Sequence, residues 1–255
     1  MSEPLNVLSL FAGIGGLELG LERAGMCVVG QVEIDPYCRR VLAKHWPDVP
    51  RHDDVRTAAD WWLSEERPTV DVICGGFPCQ PFSHAGRRLG VADERWGWPW
   101  FADVVRVVGP RYVVVENVAA LLRDRDAFGW LLRDLAALGF DAEWSVLSAC
   151  AVGAPHTRER LFLVAYPNGE HGPSRLGTFQ QRRRERQIQG RDGAARAWAD
   201  RVDWSVEAAR IDDRDIDGFA PRMVAMGGNA VVPAVAEYVG RLIVDHAVSA
   251  LGGVA

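Results

Sequence analysis

The chain has 255 residues, 48% of them hydrophobic, and a net charge of −5. That length fits one large domain, or a domain with a small insert, and the apolar content supplies a full core. The acidic balance excludes a general polyanion binder, so any nucleic-acid site must be a local basic surface. Lys44 is the sole lysine among 29 basic residues, leaving 28 arginines. Arginine suits phosphate forks and guanine edges. GC-rich codon usage, which points to a bacterium or its phage, is the plainer reason for it. Cysteines stand at 27, 38, 74, 79 and 150. Their odd number and single x4 spacing give neither a disulfide framework nor a zinc site. No basic, apolar leader opens the sequence and no apolar run reaches membrane-spanning length. A reduced cytoplasmic protein, away from membranes and without a metal, is expected.

Short apolar runs at Val7–Phe11, Cys27–Glu33, Val70–Cys74, Tyr112–Glu116 and Leu161–Ala165 read as strands. Helical spacing fills the gaps at Leu17–Ala24, Pro36–His45, Trp100–Val108 and Phe128–Leu138. Ala142–Leu147 reads as a further strand near the last one. This alternation predicts an α/β fold, a parallel sheet with helices on both faces. The aromatic run Trp96, Trp98, Trp100 and Phe101 reads as core rather than as a base-stacking platform. After Tyr166 the texture changes, and residues 167–222 are rich in Gly, Arg, Asp and Gln. Arg175–Arg191 holds six arginines against Glu185, including Arg182, Arg183 and Arg184. A solvated face is the default meaning of such a run. From Met223 order returns, and Gly227-Gly228-Asn229 turns into Ala230–Val248 at helical spacing. The divisions are therefore 1–165, 166–222 and 223–255.

Gly75-Gly76-Phe77-Pro78-Cys79-Gln80-Pro81-Phe82-Ser83 follows a buried strand. It sets one thiol, Cys79, on a stiff turn at the carboxyl edge of the sheet, a placement suited to a nucleophile. Phe11-Ala12-Gly13-Ile14-Gly15-Gly16-Leu17 joins the first strand to the first helix. Its glycines let a ligand approach backbone and helix N-terminus, though a plain turn needs the same residues. The spacing is neither a dinucleotide fingerprint nor a P-loop. Glu33 ends the second strand, where an acid can hold ribose hydroxyls. Asp54 is placed to reach an adenine amino group. A nucleoside without a pyrophosphate fits these acids. Glu116 closes the fourth strong strand, where it is placed to give a proton to a base ring, or merely caps the next helix. Arg158 and Arg160, two apart at a strand start, point the same way. They can order Glu116, clamp a phosphate or form a plain salt bridge.

As an ordered set, Phe-Ala-Gly-x-Gly-Gly, Glu-x-Asp, Pro-Cys-Gln, Glu-Asn-Val, Arg-x-Arg and Gly-Asn-x-Val resemble the motifs of DNA (cytosine-5) methyltransferases. The match covers about residues 5–165 and 222–245. The resemblance implies a three-layer doubly wound, Rossmann-like methyltransferase domain that uses S-adenosylmethionine, with a small DNA-recognition insert at 166–222. By this resemblance Cys79 looks like the nucleophile at cytosine C6, and Glu116 like the acid at N3. Arg158 and Arg160 look like supports for the flipped base and for Glu116. Phe11, Ala12, Gly13, Gly15, Gly16, Leu17, Glu33, Ile34, Asp54, Val55, Pro78, Asn229 and Val231 fall where the family contacts its cofactor. Gln80, Ser83, Arg87, Arg88, Arg95 and the Arg182–Arg184 cluster fall where it meets DNA. Ser83–Arg95 is similar to a mobile loop, with Gly86 and Gly90 as hinges.

The implied reaction explains these residue types. Cytosine C5 is a poor nucleophile. Thiolate addition at C6 with N3 protonated makes C5 able to take a methyl from the sulfonium, leaving S-adenosylhomocysteine. Loss of the C5 proton then expels the thiolate. The base must leave the duplex to be reached. Three departures stand out: His156 replaces the family's Gln, Asp217–Arg222 replaces its Arg-Gln motif, and the variable region is short. The expected partner is double-stranded DNA, with a monomeric protein and a cognate restriction endonuclease encoded nearby. A tRNA methyltransferase on the same scaffold and a non-catalytic binding relative are the alternatives.

Overall fold

The protein is described from a computed structural model covering residues 3–78, 96–152, 158–169 and 231–252. Seven strands form one sheet: β1 (Asn6–Leu10), β2 (Cys27–Val32), β3 (Arg51–His52), β4 (Val72–Gly75), β5 (Tyr112–Val118), β6 (Phe140–Ser148) and β7 (Glu159–Pro167). Their order is β3-β2-β1-β4-β5-β7-β6. The first five strands in the chain pair in parallel, whereas β7 runs antiparallel to both β5 and β6. The wholly parallel sheet expected from the sequence is thus corrected at one edge. Only the ten residues 149–158 separate β6 from β7, too little chain for a helical crossover.

Strand alternation builds two cores. Val7, Val28, Val72, Cys74, Val114 and Val164 face α1 (Gly16–Arg23), α2 (Pro36–His45) and α6 (Pro233–Gly252). Leu8, Leu10, Ile73, Val113, Val115 and Leu163 face α3 (Ala58–Leu63), α4 (Trp98–Val108) and α5 (Arg125–Ala137). Period-two burial on both faces is what makes these strands near-continuous apolar runs. Local chemistry sets the helix starts. Asp35 accepts the N–H groups of Tyr37 and Cys38, with Pro36 at the first position of α2. Asp124 caps α5 through the Ala127 N–H.

The C-terminal helix packs beside the first. A Cβ on Gly20 would run into the Pro233 carbonyl and Ala236, so the two helices touch backbone to backbone. Tyr112 Oη and His246 Nδ1, 2.9 Å apart and buried, tie α6 to β5. Trp96, Trp98 and Phe101 are core, while Trp100 is half-buried. Sequence periodicity missed β3 and α3, each too short to show a period. It placed the starts of α4 and α5 two and three residues late and that of α6 three early. Among the described residues no helix is long and apolar enough to cross a membrane.

Candidate active site at the carboxyl edge of the sheet

The loop Phe11–Gly15 leaves β1 with three residues at positive φ: Phe11 (55°), Gly13 (56°) and Gly15 (90°). Phe11 is the one non-glycine residue at positive φ among those described. Such strain persists where the surroundings fix it, and it concentrates at functional sites. The glycines divide by role. A Cβ on Gly13 would meet nothing within 4 Å, so a ligand can lie against that backbone. A Cβ on Gly15 would strike Trp46, and one on Gly16 the Val231 carbonyl, so these two serve close packing. Ala12 and Leu17 bury their side chains in the core, and the Ala12 backbone donates to the Val32 carbonyl and accepts the Gly15 N–H, each at 3.1 Å.

Glu33 follows β2 and locks this loop. Its Oε2 accepts the Gly13 N–H at 2.7 Å and its Oε1 the Asp35 N–H at 2.8 Å. Burial pushes its carboxyl up, and the two backbone donors oppose that shift. Ile34 beside it is 69% exposed, an apolar side chain offered to whatever binds there. Asp54 caps the 3-10 turn Val55–Thr57 and takes the Arg56 guanidinium on both oxygens, at 2.6–3.0 Å. Val55 is half-buried next to it. The open Gly13 backbone, the exposed Ile34 and the acceptor Glu33 suit a nucleoside carrying an apolar-faced base and ribose hydroxyls.

Glu116 stands near the end of β5, where its neighbour Val115 pairs with Gly75. It is 6% exposed, and its Oε1 lies 3.2 Å from Arg160 Nε. Burial raises its carboxyl to about 7, against the opposing charges of Arg160 and then Arg158. Both arginine charges oppose the rise of this one acid. Arg158 is itself pushed down by burial and by Arg160.

Three residues outside the predicted set complete the geometry. Asn117 Nδ2 donates to the Phe77 carbonyl at 3.0 Å, tying β5 to the segment that leads into Cys79. A Cβ on Gly76 would lie 2.8 Å from Glu116 Oε2, so only glycine admits the carboxyl there. A Cβ on Gly97 would sit about 3 Å from Phe11, Phe77 and Pro78, which marks where the two loops converge. The available signals were the Asn after Glu116 and the doubled glycine before Phe77. Cys79, Gln80, Ser83, Arg87, Arg88, Arg95, His156, Arg182, Arg183, Arg184, Asp217–Arg222 and Asn229 lie outside the described residues.

Residues 5–203 match the family described as C-5 cytosine-specific DNA methylase. The chain is 38% identical over 168 residues to the Type II methyltransferase M.Eco47II of Escherichia coli, covering 64% of this chain and 39% of that enzyme. To M.NgoMIV of Neisseria gonorrhoeae it is 35% identical over 164 residues, covering 63% and 51%. The S. pombe Dnmt2 methyltransferase shares the fold, with a TM-score of 0.57 at 24% identity over 69% of this chain and 55% of that one. The chain thus spans about half or less of the length of the Type II relatives named here. With the family match over most of its length, the chain belongs to the C-5 cytosine-specific DNA methylases.

Proposed function

We propose that the protein transfers a methyl group from S-adenosylmethionine to C5 of cytosine in duplex DNA. The observation that carries the reading is Glu116. It is a buried carboxyl held near neutrality between Arg160 and Arg158, against the loop that leads to Cys79. An acid that half-keeps its proton at physiological pH is suited to protonate N3 of a cytosine turned out of the helix. Cys79 supplies the thiolate that bonds to C6. Protonation at N3 absorbs the electron pair displaced by that addition, and C5 becomes nucleophilic. Removal of the C5 proton re-forms the C5–C6 double bond and breaks the C6–S bond. Arg160 and Arg158 hold the Glu116 carboxyl and the base, and Asn117 and Gly76 fit β5 against the segment Gly76–Phe77.

S-adenosylmethionine, when bound, supplies the electrophilic methyl. Glu33 would hold its ribose hydroxyls, Ile34 and Val55 would flank its base, Phe11, Gly13 and Pro78 would border it, and Asp54 would accept from the adenine amino group. Gln80, Ser83, Arg87, Arg88 and Arg95 meet the DNA around the flipped base, and Arg182–Arg184 contact phosphates from the 166–222 region. A restriction endonuclease encoded nearby is the companion this activity implies, with the methyltransferase a cytoplasmic monomer of a bacterium or phage.

Duplex DNA carrying 5-fluorocytosine tests the reading, because fluorine cannot leave C5 as a proton does. A covalent adduct should form in the presence of S-adenosylmethionine and map to the Cys79 peptide. Cys79→Ser should give none while still binding S-adenosylhomocysteine. An adduct on another cysteine would overturn the assignment, as would methylation of tRNA with none of duplex DNA.

A further inference from the structure

Asp54 stands on the turn between β3 and α3, and its acceptor sites can be counted. Oδ1 accepts the Arg56 backbone N–H and the Arg56 Nε–H, both at 2.9 Å. Oδ2 accepts the same Nε–H at 3.0 Å and the Nη2–H at 2.6 Å. Two carboxylate oxygens offer about four acceptor sites, and one residue takes them all. The Asp54 carbonyl is used as well, by the Thr57 N–H at 3.2 Å and the Thr57 hydroxyl at 3.3 Å. In this arrangement Asp54 has no acceptor to give to an adenine amino group.

The Arg56 side chain is not what holds this turn. The backbone N–H groups of Arg56 and Thr57 close it on Asp54, and any side chain at position 56 keeps them. His52 Nε2 and Thr57 Oγ1 lie 2.7 Å apart, and the His52 ring stacks on Trp61 with centroids 5.0 Å apart and planes 10° from parallel. The Arg56 side chain is 60% exposed and, among the described residues, bonds only to Asp54. Its guanidinium holds the Asp54 carboxyl below its ordinary value, so the acceptor is charged. A fork on a carboxylate is specific in geometry, but an exposed ion pair adds little stability. Arg56 can therefore occupy the carboxylate and still release it.

We propose that Arg56 is a specificity-determining residue of the cofactor site: its guanidinium and the adenine amino group compete for the Asp54 carboxylate. The inference rests on the reading of Asp54 as the adenine acceptor. An incoming adenine gains Asp54 only by taking it from Arg56, so the net gain is the difference between two hydrogen-bonded contacts. A purine without the amino group has no donor with which to displace the arginine, and it leaves the pair closed. Arg56 thus narrows the preference for adenine that a free Asp54 carboxylate gives.

Calorimetry on the full chain tests this with two ligands: S-adenosylhomocysteine, and its analogue whose purine bears hydrogen in place of the amino group. Arg56→Ala should bind S-adenosylhomocysteine more tightly than wild type, by up to about fivefold, the most that an exposed pair is worth. It should bind the analogue as wild type does. The ratio between variant and wild type should shrink as salt rises from about 0.05 to about 1 M, because salt screens the pair that only the wild type has. Arg56→Gln, which loses the charge but keeps a polar side chain, should gain in the same sense if the Ala variant folds poorly. Equal or weaker binding of S-adenosylhomocysteine by both variants would overturn the competition, as would an equal gain for the analogue. Asp54→Ala tests the reading beneath it and should abolish the preference for S-adenosylhomocysteine over the analogue. If that preference survives, Asp54 is not the adenine acceptor and the proposal falls with that reading. If it is lost while Arg56→Ala gains nothing, the competition alone fails.

Discussion

Glu33 and Glu116 stand at the same edge of one sheet, both buried, both pushed up by that burial, yet they are built for opposite tasks. Glu33 accepts one backbone N–H on each oxygen. Such donors are fixed, favour the charged form and leave further lone pairs for hydroxyls. Glu116 is held instead by the side-chain charges of Arg160 and Arg158. Its proton therefore stays near balance at about 7. The difference teaches that neighbours, more than residue type or burial, decide whether an acid binds a ligand or moves a proton.

Exchanging those tasks by mutation is the strongest way to break the comparison. Glu116→Gln should slow single-turnover methylation by roughly 10²–10⁴-fold, the usual worth of a general acid, with S-adenosylhomocysteine affinity unchanged. The wild-type rate should fall as pH rises through about 7, because the reaction uses the protonated Glu116, and the variant should lack that limb. Gly76→Ala should come next. Its Cβ would lie 2.8 Å from Glu116 Oε2 and displace the carboxyl, which costs up to about 10²-fold in rate for an ångström of misplacement. Calorimetry at pH 7 should show its cofactor binding intact.

Glu33→Ala should do the reverse. Cofactor affinity should drop roughly 10–100-fold, the loss of hydrogen bonds to a charged group, while the rate at saturating cofactor holds. Interchanged phenotypes for Glu33 and Glu116 would refute the division of roles. The smallest effect sharpens it. Arg160→Ala removes a positive charge that lowers Glu116, so the acid moves further up and the alkaline limb of the rate shifts to higher pH. A shift to lower pH would mean that Arg160 does not govern the Glu116 proton.

The sequence by itself determined the strand–helix alternation, because five apolar runs bounded by glycines and prolines leave no other period to follow. It also determined the candidate reagents, since Pro78-Cys79-Gln80 and Glu116-Asn117 are short-range patterns whose chemistry does not depend on the rest of the chain. Tertiary structure alone decided the antiparallel placement of β7, which follows from the lack of chain for a crossover after β6. It alone decided that Gly13 faces open space while Gly15 and Gly16 pack on Trp46 and Val231, contacts made with residues 31 and more positions away. And it alone buried Glu18, an acid in the first turn of α1, with no exposed surface. Local periodicity tells which residues form an element, but not which neighbour that element meets. A carboxyl takes its charge and its role from that neighbour.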